Sequence, residues 1–135
     1  MKPSNQSNNS GQQIDRRKTI LILEDSPEWM LLYLTTADAM NCSAHGAANG
    51  IEGVARLKSI PKPDLILLDL EMPEMSGLAF YAELQKIENY RKINIILTSE
   101  NPLARDLAKA LKLYGHAPKS APIFELQQLM RSALA

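Results

Sequence analysis

Five residues with chemistry to offer stand directly behind short, largely apolar runs. Glu24 and Asp25 follow Thr19 to Leu23, Asp69 follows Leu65 to Leu68, Thr98 follows Ile93 to Leu97, and Lys119 follows Gly115 to Pro118. Three carboxylates brought together repel one another unless a cation joins them. A hard divalent ion suits such donors, and Mg²⁺ usually takes one or two carboxylates, waters and a phosphate oxygen. Asp25 and Asp69 are therefore expected to ligate directly, with Glu24 acting through water. A carboxylate in that setting can also attack phosphorus to form an aspartyl phosphate. Asp69 is the candidate nucleophile, and the Lys119 ammonium and Thr98 hydroxyl are suited to hold phosphoryl oxygens.

These residues need a frame that brings them to one edge. The runs 19–23, 65–68 and 93–97 are continuous and apolar, as in parallel strands covered on both faces. Between them lies helical spacing. Met30, Tyr33, Leu34 and Ala37 fall on one face behind Ser26 as N-cap and Pro27 at the first helical position. Phe80, Leu84 and Ile87 mark a further helix. Leu103, Leu107, Ala110, Leu111 and Tyr114 mark another, opened by Asn101 and Pro102, and Ile123, Leu126, Met130 and Leu134 mark the last. Cys42 to Ala47 reads as a second strand, Ile51 to Ser59 as a second helix, and Gly115 to Pro118 as a very short fifth strand. Five strands alternating with five helices predict an α/β fold with parallel strands, right-handed crossovers and a doubly wound sheet. In such sheets the working residues gather at the carboxyl edge.

Composition narrows the function classes. The chain has 135 residues, with 15 Lys plus Arg and 15 Asp plus Glu, so no global basic excess argues for nucleic acid or an anionic membrane. The first eighteen residues carry +3 and the remainder −3, which makes the predicted folded part mildly acidic. Residues 1–18 are rich in Asn, Gln and Ser, lack an apolar run, and are expected to form a disordered polar tail ahead of a domain over residues 19–135. No apolar stretch suits a signal peptide or a membrane span, so a cytoplasmic location is expected. Cys42 is the single cysteine and reads as a structural thiol.

The run Leu65-Ile66-Leu67-Leu68-Asp69-Leu70-Glu71-Met72-Pro73-Glu74-Met75-Ser76-Gly77 resembles the phosphoacceptor strand and following loop of the receiver domain of two-component response regulators. The resemblance extends from Thr19 to about Ala133. It implies Asp69 as phosphoacceptor, a Mg²⁺ site of Glu24, Asp25, Asp69 and the Glu71 backbone carbonyl, Thr98 as switch hydroxyl and Lys119 as phosphoryl-binding lysine. It further implies a flavodoxin-like sheet of order 2-1-3-4-5. Glu71 and Glu100 match positions that border the phosphoryl group and tune its lifetime. The implied partners are a histidine kinase or histidine phosphotransfer protein as donor and an unspecified downstream protein, with no membrane or direct nucleic-acid contact.

The sequence departs from the family pattern in three places. Ser120 replaces the proline usual after the lysine, so a trans or strained bond is expected at Lys119-Ser120. His116 replaces a Tyr or Phe three residues before it and is expected to act as the switch ring, and Lys112 replaces a usual glycine. Trp29 and Met30 suit core packing or contact with a donor kinase, and His45 shows no partner. The chain ends with the fifth helix, which leads to the expectation of a stand-alone signalling phosphoacceptor rather than an enzyme. A phosphorylation-independent adaptor is the alternative. A flavin site is disfavoured because the first turn, Glu24-Asp25-Ser26-Pro27, is acidic where a phosphate needs amide donors. A phosphatase is disfavoured because Glu71 is an imperfect second acid and the Met-Pro loop suits a receiver better.

Overall fold

The computed structural model describes residues 15–135. The tail expected over residues 1–18 therefore falls mostly outside the described residues. Five strands, β1 (Thr19–Leu23), β2 (Ser43–Ala47), β3 (Leu65–Leu68), β4 (Asn94–Leu97) and β5 (Gly115–His116), alternate with the helices α1 (Pro27–Ala39), α2 (Gly50–Leu57), α3 (Gly77–Gln85), α4 (Ala104–Ala110) and α5 (Ile123–Leu134). All strand pairs are parallel and the sheet order is β2-β1-β3-β4-β5. This is the expected doubly wound α/β fold.

β1 and β3 are buried along their lengths because helices cover both faces. Alternating side chains feed two separate cores. Leu21, Leu23, Ile66, Leu68, Ile95 and Leu97 pack with Leu57, Phe80, Leu84, Ala104 and Ala108 from α2, α3 and α4. Ile20, Ile22, Leu65, Leu67 and Ile96 pack with Tyr33, Ala37, Leu126 and Met130 from α1 and α5. Side-chain caps set three helix starts: Ser26 Oγ accepts from the Trp29 amide at 3.4 Å, Asn49 Oδ1 from Glu52 at 2.9 Å and Ser76 Oγ from Ala79 at 3.2 Å.

Several element boundaries differ from the sequence reading. β2 starts at Ser43 because the Cys42 amide donates to the Ala37 carbonyl at 3.0 Å and closes α1, with Asn41 at φ 60°. α4 ends in the same way: the Leu113 amide donates to Ala108 and the Lys112 amide to Lys109, with Lys112 at φ 57° in the left-handed position that glycine usually fills. That closure excludes Tyr114 from α4. The buried face of α4 is Ala104 and Ala108, while Leu103 is 69% exposed, because small side chains let the short helix lie close to the sheet. Ile87 lies beyond the end of α3 and is also exposed. β5 is two residues long, although the Ala117 amide continues its pairing to Leu97 at 2.8 Å.

The start of α3 is pressed against the end of β3. The Gly77 amide donates to the Leu70 carbonyl at 2.9 Å, and a Cβ at this position would lie 2.1 Å from the Asp69 carbonyl oxygen. Only glycine permits that approach.

Candidate functional site

The carboxyl edge of the sheet delivers the predicted residues to one place. Glu24 and Asp25 leave β1, Asp69 leaves β3, Thr98 leaves β4, and Lys119 lies in the turn after β5. Carboxylate oxygens of Glu24, Asp25 and Asp69 all lie within 4.8 Å of one another. Glu24 and Asp69 are buried and Asp25 is exposed. Oxygen donors so grouped fit a hard divalent cation.

Lys119 is the neutralising charge. Its Nζ lies 2.8 Å from Glu24 Oε1, a charge contact without good hydrogen-bond angles, and donates to Asp69 Oδ2 at 3.4 Å. Glu24 Oε2 accepts the Ser26 amide at 3.0 Å, and Asp69 Oδ1 is 3.5 Å from the Glu71 amide. Burial pushes the Glu24 carboxyl above its usual range, opposed by Lys119 and the Ser26 amide and reinforced by Asp69. Burial likewise raises Asp69, against the pull of Lys119 and the Glu71 amide. Burial alone would depress the Lys119 ammonium, but Glu24 and Asp69 outweigh it and hold the lysine above its usual range.

The Lys119 ammonium also stands 5.4 Å from the centroid of the Trp29 ring, within cation–π reach. Trp29 is in turn 5.7 Å from the ring of Tyr33. Burial raises the Tyr33 phenol well above its usual range, and the carboxylates of Glu24, Asp69 and Glu100 add to the rise. The sequence signal for this pair is their spacing: residues four apart share one face of α1. The place of Trp29 beside Lys119 was not readable from that spacing.

Thr98 is fully buried, and its amide donates to the Leu68 carbonyl at 2.9 Å. Among the described residues its hydroxyl has no hydrogen-bond partner of good geometry. Such a group is costly unless a further acceptor or donor reaches it.

The loop after Thr98 is tied to its neighbours at three points. His116 Nε2 lies 2.8 Å from the Ser99 carbonyl, so this nitrogen carries the donated proton. Glu100 Oε2 accepts the Ser120 amide at 2.5 Å, and Asn101 Nδ2 donates to Glu71 Oε2 at 3.0 Å. The side chains of Glu71 and Glu100 are thus both engaged by neighbouring loops. Asn101 also caps locally, its Oδ1 accepting the Leu103 amide at 2.9 Å, although α4 itself begins only at Ala104. Among the described residues no peptide bond is cis, so the Lys119-Ser120 bond is trans. Away from the site, His45 pairs with Ser43 Oγ at 3.3 Å, a partner the sequence did not reveal, and Cys42 is buried with its thiol raised by burial.

Residues 20–128 match the response regulator receiver domain family. The chain belongs to that family. Receiver domains are signalling modules of two-component systems. The chain is 28% identical over 94 residues to the sensor histidine kinase CheAY of Helicobacter pylori, covering 69% of this chain and 12% of that protein. It is 28% identical over 118 residues to the Regulator of RpoS of Escherichia coli, covering 87% of this chain and 34% of the relative. The chain therefore spans 12% and 34% of the length of these two relatives. It covers 89% of the polar-differentiation response regulator DivK of Brucella anthropi, with 28% identity over 79% of this chain. Among solved structures, the Vibrio cholerae chemotaxis protein CheY4 superposes with a TM-score of 0.78 at 22% identity, covering 87% of this chain and 99% of that one. The signal receiver domain of a Syntrophus aciditrophicus histidine kinase gives 0.74 at 29% identity, covering 87% and 89% respectively. In this receiver domain no described helix is long and apolar enough to cross a membrane.

Proposed function

We propose that this receiver domain accepts a phosphoryl group on Asp69 from a phosphohistidine donor, a histidine kinase or a histidine phosphotransfer protein, in the cytoplasm. The observation that carries this reading is the placement of one buried carboxylate, Asp69, between a lysine 3.4 Å away and two further acids whose oxygens lie within 4.8 Å. An Asp69 carboxylate oxygen attacks phosphorus, the P–N bond to the donor imidazole breaks, and the imidazole leaves with a proton. Hydrolysis of the acyl phosphate returns Asp69 and orthophosphate.

The donor set fits Mg²⁺, with Asp25 and Asp69 as direct ligands, Glu24 through water and the Glu71 carbonyl as a further oxygen. Held by these residues, the ion would offset the negative charge of the phosphoryl oxygens. Lys119 holds a phosphoryl oxygen by charge, and the unpartnered Thr98 hydroxyl supplies a donor to another. Glu71 and Glu100 line the approach and tune the lifetime. Engaging Thr98 shifts the Ser99 backbone, which His116 grips by its ring, and so biases the surface of α4, β5 and α5 toward a downstream protein.

The test is intact mass after incubation with a small acyl phosphate and Mg²⁺, beside Asp69→Asn and a chelator control. A single phosphoryl adduct that needs both Asp69 and the ion is expected. Absence of an adduct even from a histidine phosphotransfer donor, with no Mg²⁺ binding, overturns the reading in favour of a phosphorylation-independent adaptor.

A further inference from the structure

We infer that Glu100 is a positioning residue: its carboxylate acts as a strut that fixes the turn carrying Lys119. The inference rests on the proposed role of Lys119 in holding the phosphoryl group. After the Ala117 amide makes its bond to Leu97, the backbone leaves the sheet. Pro118 to Ala121 then form a turn closed by the Ala121 amide on the Pro118 carbonyl at 3.0 Å, with Lys119 and Ser120 at its two central positions. A turn closed only on itself can swing about its ends. The bond from the Ser120 amide to Glu100 Oε2, at 2.5 Å, ties it sideways to the loop that follows Thr98.

The donor in this tie exists only because residue 120 is not proline, which has no amide hydrogen. The acceptor is charged, which makes the bond stronger than a neutral one. Glu100 has a firm base. The Ser99 side chain accepts the Asn101 amide at 3.0 Å, and the Ser99 carbonyl is held by His116 at 2.8 Å. Lys119 is thus placed by the strut at its backbone, by Glu24 and Asp69 at its ammonium, and by the Trp29 ring at 5.4 Å. Freeing the backbone end lets the ammonium wander, and displacement by about 1 Å is enough to cost large factors in rate.

Glu100 carries both a charge and an acceptor oxygen, and Gln retains only the oxygen. If Glu100 acts as a strut, Glu100→Gln keeps function and Glu100→Ala does not; if only its charge matters, the two variants behave alike. The experiment compares wild type, Glu100→Gln, Glu100→Ala and Ser120→Ala, the last keeping the amide, in the full chain. Three readouts are taken: Ser120 amide hydrogen exchange, Trp29 fluorescence, and the rate of Asp69 labelling by a small acyl phosphate with Mg²⁺. The first two need no phosphorylation. The expected result is a protected Ser120 amide and unchanged Trp29 emission in wild type, Glu100→Gln and Ser120→Ala. Glu100→Ala is expected to lose the protection, alter the emission and slow labelling about tenfold, with Glu100→Gln within about twofold of wild type. Equal Ser120 exchange in wild type and Glu100→Ala, or equal labelling of the Gln and Ala variants where wild type is labelled, overturns the strut. Absence of labelling in every protein, from a histidine phosphotransfer donor as well as the acyl phosphate and with no Mg²⁺ binding, overturns the phosphoacceptor reading, and an intact exchange and fluorescence pattern then leaves the strut standing.

Discussion

Lys119 Nζ is 2.8 Å from Glu24 Oε1 but 3.4 Å from Asp69 Oδ2. The lysine leans toward the acid that is walled in and away from the acid proposed to react. Glu24 has a side chain with no solvent exposure, so its charge needs the partner more. Asp69 is left less neutralised, as the proposed attack on phosphorus requires.

Lys119→Met is expected to destabilise the fold by about 1–2 kcal/mol at neutral pH, below the full cost of breaking a buried pair because the ammonium is partly exposed. Burial already raises the Glu24 carboxyl above 4.5, and losing the lysine raises it further. The deficit should therefore shrink on acidification as Glu24 takes up its proton. Urea unfolding at neutral pH and near pH 5 checks this, and a deficit that widens at the lower pH contradicts it.

Asp69→Asn is expected to stabilise the metal-free domain by about 1 kcal/mol, or roughly 4 °C in Tm, by removing a buried carboxylate beside two others. The folded-state Asp69 carboxyl lies above its unfolded value of 3.8. Between the two the folded state binds more protons, so stability falls as pH rises through that window. The variant should lose this part of the slope, and any stabilisation by Mg²⁺ should be reduced with it. Thermal melts across pH, with and without Mg²⁺, measure both.

Trp29 is the single tryptophan in the sequence, which makes the ring beside Lys119 a natural reporter. Mg²⁺ addition is expected to change its emission, and Lys119→Met to weaken the change. Trp29→Leu should cost about 0.5–1 kcal/mol from the lost cation–π contact alone and slow Asp69 labelling. Emission that is indifferent to Mg²⁺ in a protein shown by calorimetry to bind it would contradict the placement.

Gly77→Ala is expected to destabilise the fold by about 2–3 kcal/mol, because the added methyl would be driven into the Asp69 carbonyl. Denaturant unfolding gives the loss directly. Asp69 labelling in the surviving folded fraction should also fall, since relief of the clash moves the end of β3.

The parts of this molecule that were legible in the sequence are those governed by local rules. TILIL and LILL read as buried parallel strands, Ser26-Pro27 read as a helix start, and the residues behind each strand meet at one edge because parallel strands share direction. What was not legible depends on contacts across loops. Neither the Ser120 amide nor the Glu100 carboxylate carries a local signal for the other, twenty residues away in the chain. The apolar stripe of Leu103, Leu111 and Tyr114 misplaced α4, since close packing of Ala104 and Ala108 and the left-handed Lys112 determine its face and end. Lys112 at a glycine position is a local conflict that tertiary structure overrides.

The brevity of β5 has a bearing on crowding and self-association. A long free strand edge offers a ladder of unpaired amides and carbonyls on which another chain can add. Here that border of the sheet is only Gly115–His116, and the backbone then turns away at Pro118. A neighbouring molecule finds too few groups in register to extend the sheet, so this flank carries little risk of seeding aggregates.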